Sequence, residues 1–276
     1  MKQPEGIQPG IYENMSDEDY HNDPALGSSG LKTLLCNPQK FWYESRALNP
    51  KYEGLDTKAC KNGRAIHTLL FQETLFDAQF TIKEGKESST MEGVLGEGEY
   101  DSMVKSVDVI RNHPRFSRLI IGGKAEISIF WRDKETGVMC KVRFDYLTQG
   151  SDAWGIDYKS TNADIWDVRS VSRTITKYGY DISASMYLEG MQKAGLGDHS
   201  TFMLLFQQKK PPYIPRTLLL DKEILDTSYP CFRKGLELYK YNIEKYGTTK
   251  WASGIDDVEC VTLDDLPSWH IDDRTF

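Results

Sequence analysis

The chain has 276 residues, 39% of them hydrophobic and 12% aromatic, enough for one sizeable core or for a core with a helical subdomain. No apolar run approaches the roughly 18 residues of a membrane helix, and the opening Met-Lys-Gln-Pro lacks a signal peptide's apolar core, so the expected compartment is the cytoplasm. A net charge of −7 argues against a protein that merely coats nucleic acid, but less against an enzyme whose own acids are neutralised by a divalent cation.

Residues 1–27 read as an irregular arm punctuated by Gly, Pro and Asn, with Ser16 placed to cap a single turn. The remainder, 28–276, reads as one domain. Ser28 or Ser29 is a plausible cap for an amphipathic helix bearing Leu31, Leu34 and Leu35, interrupted at Pro38 and continued by Phe41 and Trp42. A polar linker, 45–57, leads to a second helix from Lys58 to Gln72. Ala59, Ile66, Leu69, Leu70 and Phe71 are its apolar positions, and His67 sits among them. Lys58, Lys61 and Arg64 recur at three-residue intervals and read first as a solvated face. Residues 82–99, rich in Gly, Glu and Ser, predict a mobile loop. Helical spacing returns from Tyr100 to Leu119, with Met103, Val107, Ile110 and Phe116 inward and Pro114 as a late break.

The pattern then changes. Ala125–Trp131 alternates, Asp133–Gly137 supplies a turn, Val138–Leu147 follows, and Ala153–Lys159 completes an antiparallel meander. Asn162 opens a helical stretch through Trp166, Val168, Val171 and Ile175, broken near Gly179 and resumed from Tyr180 to Met191. Thr201–Phe206 is continuously apolar, as a buried strand is, and Tyr213–Leu220 is its expected partner. Asp221 caps a last helix to about Tyr246, and the tail aromatics Trp251 and Trp269 are expected to pin the C-terminus. The order predicts an α/β sheet with helices packed on it. Five dispersed cysteines (36, 60, 140, 231 and 260) with no C-x-x-C pair predict reduced, mostly buried thiols.

The chemistry is expected at the hairpin Arg143–Lys159. Asp157 and Lys159 share a strand face, and a tight hairpin brings Asp145 alongside. Two carboxylates and an ammonium on an apolar sheet are costly unless a cation or an anionic substrate completes them. That favours a metal site for phosphodiester hydrolysis. Asp145, Asp157 and the Tyr158 backbone carbonyl would offer oxygens to Mg²⁺, and Lys159 would orient water or stabilise developing charge. Glu126, on the adjacent strand, reads equally well as a surface acid and as a helper for a second cation or for Lys159. Acids and lysines are common at strand ends. The apolar context of Phe144 and Ile156 and the hairpin placement set this group apart.

Several motifs together resemble the RecE-type exonuclease (exonuclease VIII) family of the PD-(D/E)XK nucleases, related to the RecB nuclease domain. They are Gly63-Arg-Ala-Ile-His67, Ala125-Glu126 opening a strand that ends at Trp131, Glu135-Thr-Gly137, Arg143-Phe-Asp145, Asp157-Tyr-Lys159-Ser-Thr, Tyr180 with Tyr187, and Leu266-Pro-Ser-Trp269. They run from about residue 10 to 270. The resemblance implies a restriction-endonuclease-like core, a mixed central β-sheet flanked by helices. It implies metal ligation by His67, Asp145 and Asp157, with Lys159 as the motif lysine. It also implies metal-dependent degradation of linear double-stranded DNA from its ends, 5′→3′. The product would be single-stranded DNA for phage or prophage recombination in the host cytoplasm, with a single-strand annealing partner and a ring-like homo-oligomer. A histidine ligand suits Mn²⁺ better than Mg²⁺, so Mn²⁺ is expected to serve as well. One departure stands out: relatives usually carry glutamine where this chain has Ser183, four positions before Tyr187. Serine cannot make the two-sided amide contact. Ser183, Tyr187, Tyr180 and Arg64 are the expected substrate contacts.

Two other readings compete. An iron–sulfur nuclease on the same core needs four cysteines at one cluster, and Cys231 and Cys260 have no third beside them. A non-catalytic DNA-binding or assembly module on a decayed nuclease core is opposed by the intact Asp145, Asp157 and Lys159 and by the acidic charge.

Overall fold

The computed structural model describes residues 2–54, 57–85, 93–197 and 199–252. In chain order the elements are β1 (Gly10–Tyr12), α1 (Asp17–Asn22), β2 (Leu26–Gly27), α2 (Ser28–Cys36), α3 (Pro38–Glu44), α4 (Lys58–Phe71), α5 (Phe76–Gln79), β3 (Thr81–Lys83), β4 (Val94–Gly96), α6 (Glu97–Arg111) and α7 (Phe116–Leu119). Then follow β5 (Gly123–Arg132), β6 (Met139–Thr148), β7 (Trp154–Thr161), α8 (Val168–Tyr178), α9 (Tyr180–Lys193), β8 (Thr201–Gln208), β9 (Pro215–Leu218) and α10 (Lys222–Tyr246).

The main sheet runs β1-β5-β6-β7-β8-β9, with β2 on β6. Strands β5, β6 and β7 form the expected antiparallel meander, and β8 joins β7 in parallel. The sheet is therefore mixed, with a helical layer on each side. One core holds α2, α9 and α10 through Leu31, Leu34, Met186, Tyr187, Phe232 and Leu236 against Val142, Phe144 and Phe206. The other holds α4 and α6 through Ala65, Ile66, Leu69, Met103, Val107 and Ile110 against Tyr146, Ile156 and Tyr158. Among the described residues, no helix is long and apolar enough to cross a membrane.

Several local expectations need correction. The arm is part of the sheet: β1 pairs with β5, β2 pairs with β6, and Arg143 reaches back to Asp17 Oδ1 at 2.7 Å. Ser16 does cap its turn, accepting from Asp19 N. Gly27, not a serine, is the N-cap of α2, and Pro38 opens a separate helix capped by Asn37. The loop predicted at 82–99 contains β4 and the start of α6; its stretch 86–92 lies outside the described residues. The reason is Lys61, read above as solvated. It is buried, and its Nζ donates to the Val94 carbonyl at 2.6 Å, while Lys58 pairs with Glu99 at 2.8 Å. Helix α4 thus holds the far side of that loop. Of the described cysteines only Cys140 is buried; Cys36, Cys60 and Cys231 are exposed, and Cys260 lies outside the described residues. Trp251 does pin the C-terminal side, buried against Phe41 and Tyr239, whereas Trp269 lies outside the described residues.

The β5–β6 turn is fastened from outside the sheet. Asp133 accepts from Thr136 N at 2.8 Å and from both Arg233 terminal nitrogens at 2.6 and 3.1 Å. Burial would raise the Asp133 carboxyl, but the hydrogen bonds from Arg233 and Thr136 hold it at about 2. A depressed acid contributes stability above the ordinary carboxylate range and loses it as pH falls towards its folded value. Arg233→Met is expected to cost roughly 3 kcal/mol at pH 7 by urea denaturation. The difference from wild type should shrink between pH 4 and pH 2; a pH-independent difference would show that the ion pair is not its cause.

Candidate metal centre

The site forms where the sheet forks. β6 and β7 pair only through Tyr146↔Ile156 and Leu147↔Gly155. The close approach there needs Gly155, because the Phe144 ring lies 2.2 Å from where a Cβ would stand. Beyond this point β7 leaves β6, and further back β2 takes up the edge at Cys140 and Lys141. Asp145 is the first residue of β6 past the last pair. Its Oδ2 accepts from Tyr158 N at 2.5 Å.

A second irregularity faces it. Glu126, opposite Asp145 in the β5–β6 register, has φ +53°, a left-handed conformation that is strained for a residue with a side chain. Residues two apart on a strand normally share a face. Here Phe144 packs against Tyr187, while Tyr146 stacks on Phe71 in the other core. The alternation therefore slips at Asp145, beside Glu126. The slip gives both acids a common direction, towards α4.

Helix α4 begins at Thr57, which caps Cys60 N, and buries Ala65, Ile66, Leu69 and Leu70. His67 lies between those positions, its ring edge-on to Tyr158 at 5.4 Å. Its Nδ1 is 3.2 Å from Asp145 Oδ1. Ligand atoms of His67, Glu126 and Asp145 all lie within 4.8 Å of one another, and among the described residues no other such group occurs. One imidazole and two carboxylates fit a hard or borderline divalent cation such as Mg²⁺ or Mn²⁺.

Asp157 and Lys159 sit beside this trio and are joined to each other, Oδ1 to Nζ, at 2.7 Å. Ile156 and Tyr158 point into the α4 core, so the acid and the lysine leave the strand on its other side. There Lys159 Nζ lies 5.5 Å from the Tyr180 ring. Of the expected ligands His67, Asp145 and Asp157, the structure brings His67 and Asp145 together. Glu126 takes the third place in the cluster, and Asp157 is engaged with Lys159. Tyr158 is paired in register with Leu205, and its hydroxyl donates to Gln207 Oε1.

The charges are pushed apart. Burial would raise Asp145, but the His67 charge and hydrogen bond, Lys159 and the Tyr158 N–H hold it below the ordinary range. Burial and the neighbouring Asp145 charge lift Glu126 to about 7. Burial, opposed by Lys159 and aided by Asp145, also raises Asp157. Burial would lower His67 and Lys159, yet the adjacent carboxylates outweigh it and raise both.

The expected substrate residues separate. Tyr187 is buried: its hydroxyl donates to the Arg143 carbonyl at 2.7 Å, and its ring packs on Phe144 and Phe202. Ser183 is buried as well, donating to the Gly179 carbonyl. Both form the wall behind the site. Tyr180 is half-buried and faces Lys159, and Arg64 is half-buried one helical turn before His67. Lys32 of α2 also reaches this group. Its Nζ lies 5.3 Å from the same Tyr180 ring, and burial and Lys159 push it down to about 8 against Asp157 and Asp181. A lone lysine on an amphipathic helix gives no signal of such a neighbour.

The chain matches, over residues 27–250, the family described as PDDEXK-like domain of unknown function (DUF3799). No curated protein matches it. Among solved structures it is similar to a "putative exonuclease" from Eubacterium rectale, at 14% identity and a TM-score of 0.61, covering 93% of this chain and 99% of that one.

Because Glu126 is lifted to about 7 and the neighbouring carboxylates raise His67, protons compete with a cation for both groups. Mn²⁺ is expected to raise the melting temperature more at pH 8 than at pH 6, and not to raise it in Glu126→Gln or His67→Ala. Equal stabilisation of wild type and Glu126→Gln would remove Glu126 from the site.

Proposed function

Since this chain belongs to the family of PDDEXK-like domains described as DUF3799, we propose that it is a metal-dependent nuclease hydrolysing phosphodiester bonds of DNA. The observation that carries this is the convergence of His67, Glu126 and Asp145 beside the Asp157–Lys159 pair. A divalent cation held by that trio, with Asp157 available at its margin, would supply a water of lowered pKa and charge compensation at phosphorus. The chain's own groups set up the rest. Asp145 is kept ionised, so it holds His67 oriented through the Nδ1 contact. Lys159 is kept protonated by Asp157 and Asp145, so it acts as a cation and not as a free base. It is placed to donate to a phosphate oxygen or to steer the attacking water. Asp157 aims that ammonium.

The finer reading is that of an exonuclease acting on ends of linear duplex DNA, 5′→3′, in a homo-oligomer that delivers single strands to an annealing partner in phage or prophage recombination. It is supported by the RecE-type order of motifs from His67 to Tyr187. The non-catalytic alternative is weakened by the complete acid, lysine and histidine set. The iron–sulfur alternative is weakened because the described cysteines form no cluster.

The test is loss of linear duplex DNA with Mg²⁺ or Mn²⁺, with and without EDTA, alongside closed circular DNA. Asp157→Ala and Lys159→Ala are each expected to lower the rate at least about a hundredfold, in line with loss of an electrostatic stabiliser. Metal-dependent cleavage that persists in both variants would sink the site assignment, and equal cleavage of circles would sink the exonuclease reading.

A further inference from the structure

Helix α8 follows the Asp157–Lys159 strand, and little of it holds the fold together. Of its 11 residues only Val171 is buried. Its exposed positions include Arg169, Arg173 and Lys177, and the helix contains no acid. Four-residue intervals place these cations about 6 Å apart along the axis. Among the described residues, none of the three forms an ion pair. On α10, by contrast, Lys222 pairs with Asp226, and Arg233 with Asp133 and Glu135. An unpaired basic stripe on a chain of net charge −7 would ordinarily be read as a solvated face. Its two ends go beyond that reading.

At the C-terminal end, Lys177 Nζ lies 5.4 Å from the Tyr178 ring, which is 51% exposed. Tyr178 stacks on Tyr180 at 5.6 Å and 26°, and Tyr180 lies under Lys159. The corner between α8 and α9 is Gly179 at φ +59°, and a Cβ there would meet Lys32 Cδ at 2.9 Å. That glycine lets the Lys32 stem pass the corner to Tyr180. The stripe is thus continuous, contact by contact, with Lys159. At the other end, Trp166 stands 68% exposed ahead of the N-cap Asp167. Exposed aromatic faces therefore bracket a row of cations without ion pairs, about 12 Å from Arg169 to Lys177, that ends at the reacting centre.

The geometry points to α8 as a guide for one unpaired polynucleotide strand entering or leaving the Asp157–Lys159 centre. Phosphates would lie on Arg169, Arg173 and Lys177, and bases would stack on Tyr178 and Trp166. A single strand is chosen over a duplex for two reasons. Cations in one line serve one backbone, and an exposed ring stacks only on a base that is not already stacked and paired. This deepens the nuclease reading and rests on it.

The test is fluorescence anisotropy of a labelled oligothymidylate with the full chain in EDTA, titrated with salt. Replacing Arg169, Arg173 and Lys177 together by Ser is expected to reduce the slope of log affinity against log salt by about 2, from three contacts at ~0.7 each. A control with Lys51, Lys134 and Lys234 replaced by Ser loses the same charge elsewhere on the exposed surface and should keep the wild-type slope. Tyr178→Ser and Trp166→Ser should each weaken single-strand binding about tenfold and leave a blunt duplex of the same length nearly unchanged. An unaltered slope, an equal loss in the control, duplex binding weakened as much as single-strand binding, or no strand binding by wild type would each overturn the proposal. Hydrolysis by wild type is scored separately. Absence of cleavage would remove the nuclease reading and leave a slope difference standing, whereas cleavage with an unaltered slope would remove the guide alone.

Discussion

The structure depends on the place where β6 and β7 stop pairing. At Asp145 the ladder opens, and a carboxylate takes the hydrogen bond from Tyr158 N. One oxygen of Asp145 therefore fixes the fork, and the other faces His67. Burying that acid without partners would be prohibitive. With a backbone donor on one side and an imidazole on the other it stays ionised in a nearly closed position. The strained Glu126 backbone belongs to the same event, since the phase slip brings its acid round to meet the pair.

This fork also explains why the protein needs two cores. The α4 layer delivers His67 and packs on Tyr146, Ile156 and Tyr158. The α9 layer stands behind Phe144 and presents Tyr180 to Lys159. Helix-bound and strand-bound groups converge from opposite sides of one sheet, so neither layer can shift without opening the site. The N-terminal segment closes the remaining edge. Arg143 ties it down through Asp17 and the carbonyls of Met15 and Ser16. The same guanidinium lies 3.9 Å from Glu126, so the arm is coupled electrostatically to the cluster of His67, Glu126 and Asp145.

The meander was legible because its signals are local: alternation in 125–131, the Asp133–Gly137 turn, and Asp157 and Lys159 two apart on one strand. The apolar run at 201–206 likewise announced a buried strand. The decisive features were not local. Nothing in Ala125-Glu-Ile-Ser tells that Glu126 takes a positive φ, so its partnership with His67 could not be separated from a surface acid. His67 itself looked like any histidine on a half-buried helix until the order of motifs gave it a role. Lys61 and Tyr187 are buried by partners far away in the chain. A lysine at helical spacing looks solvated unless a distant carbonyl, here Val94, is known to wait for it. A tyrosine at this helical spacing is more often core than substrate-stacking, and the hydroxyl of Tyr187 closes on the Arg143 carbonyl. Long-range pairing, not propensity, decided each case.

The central claim is that the fork builds a cation site from His67, Glu126 and Asp145, with Asp157 held back by Lys159. Anomalous diffraction from a Mn²⁺-soaked crystal tests it most directly. The account predicts an ion coordinated by all three side chains, with the Asp157–Lys159 contact kept or only loosened. An ion held by Asp145 and Asp157 with Glu126 turned away would contradict it.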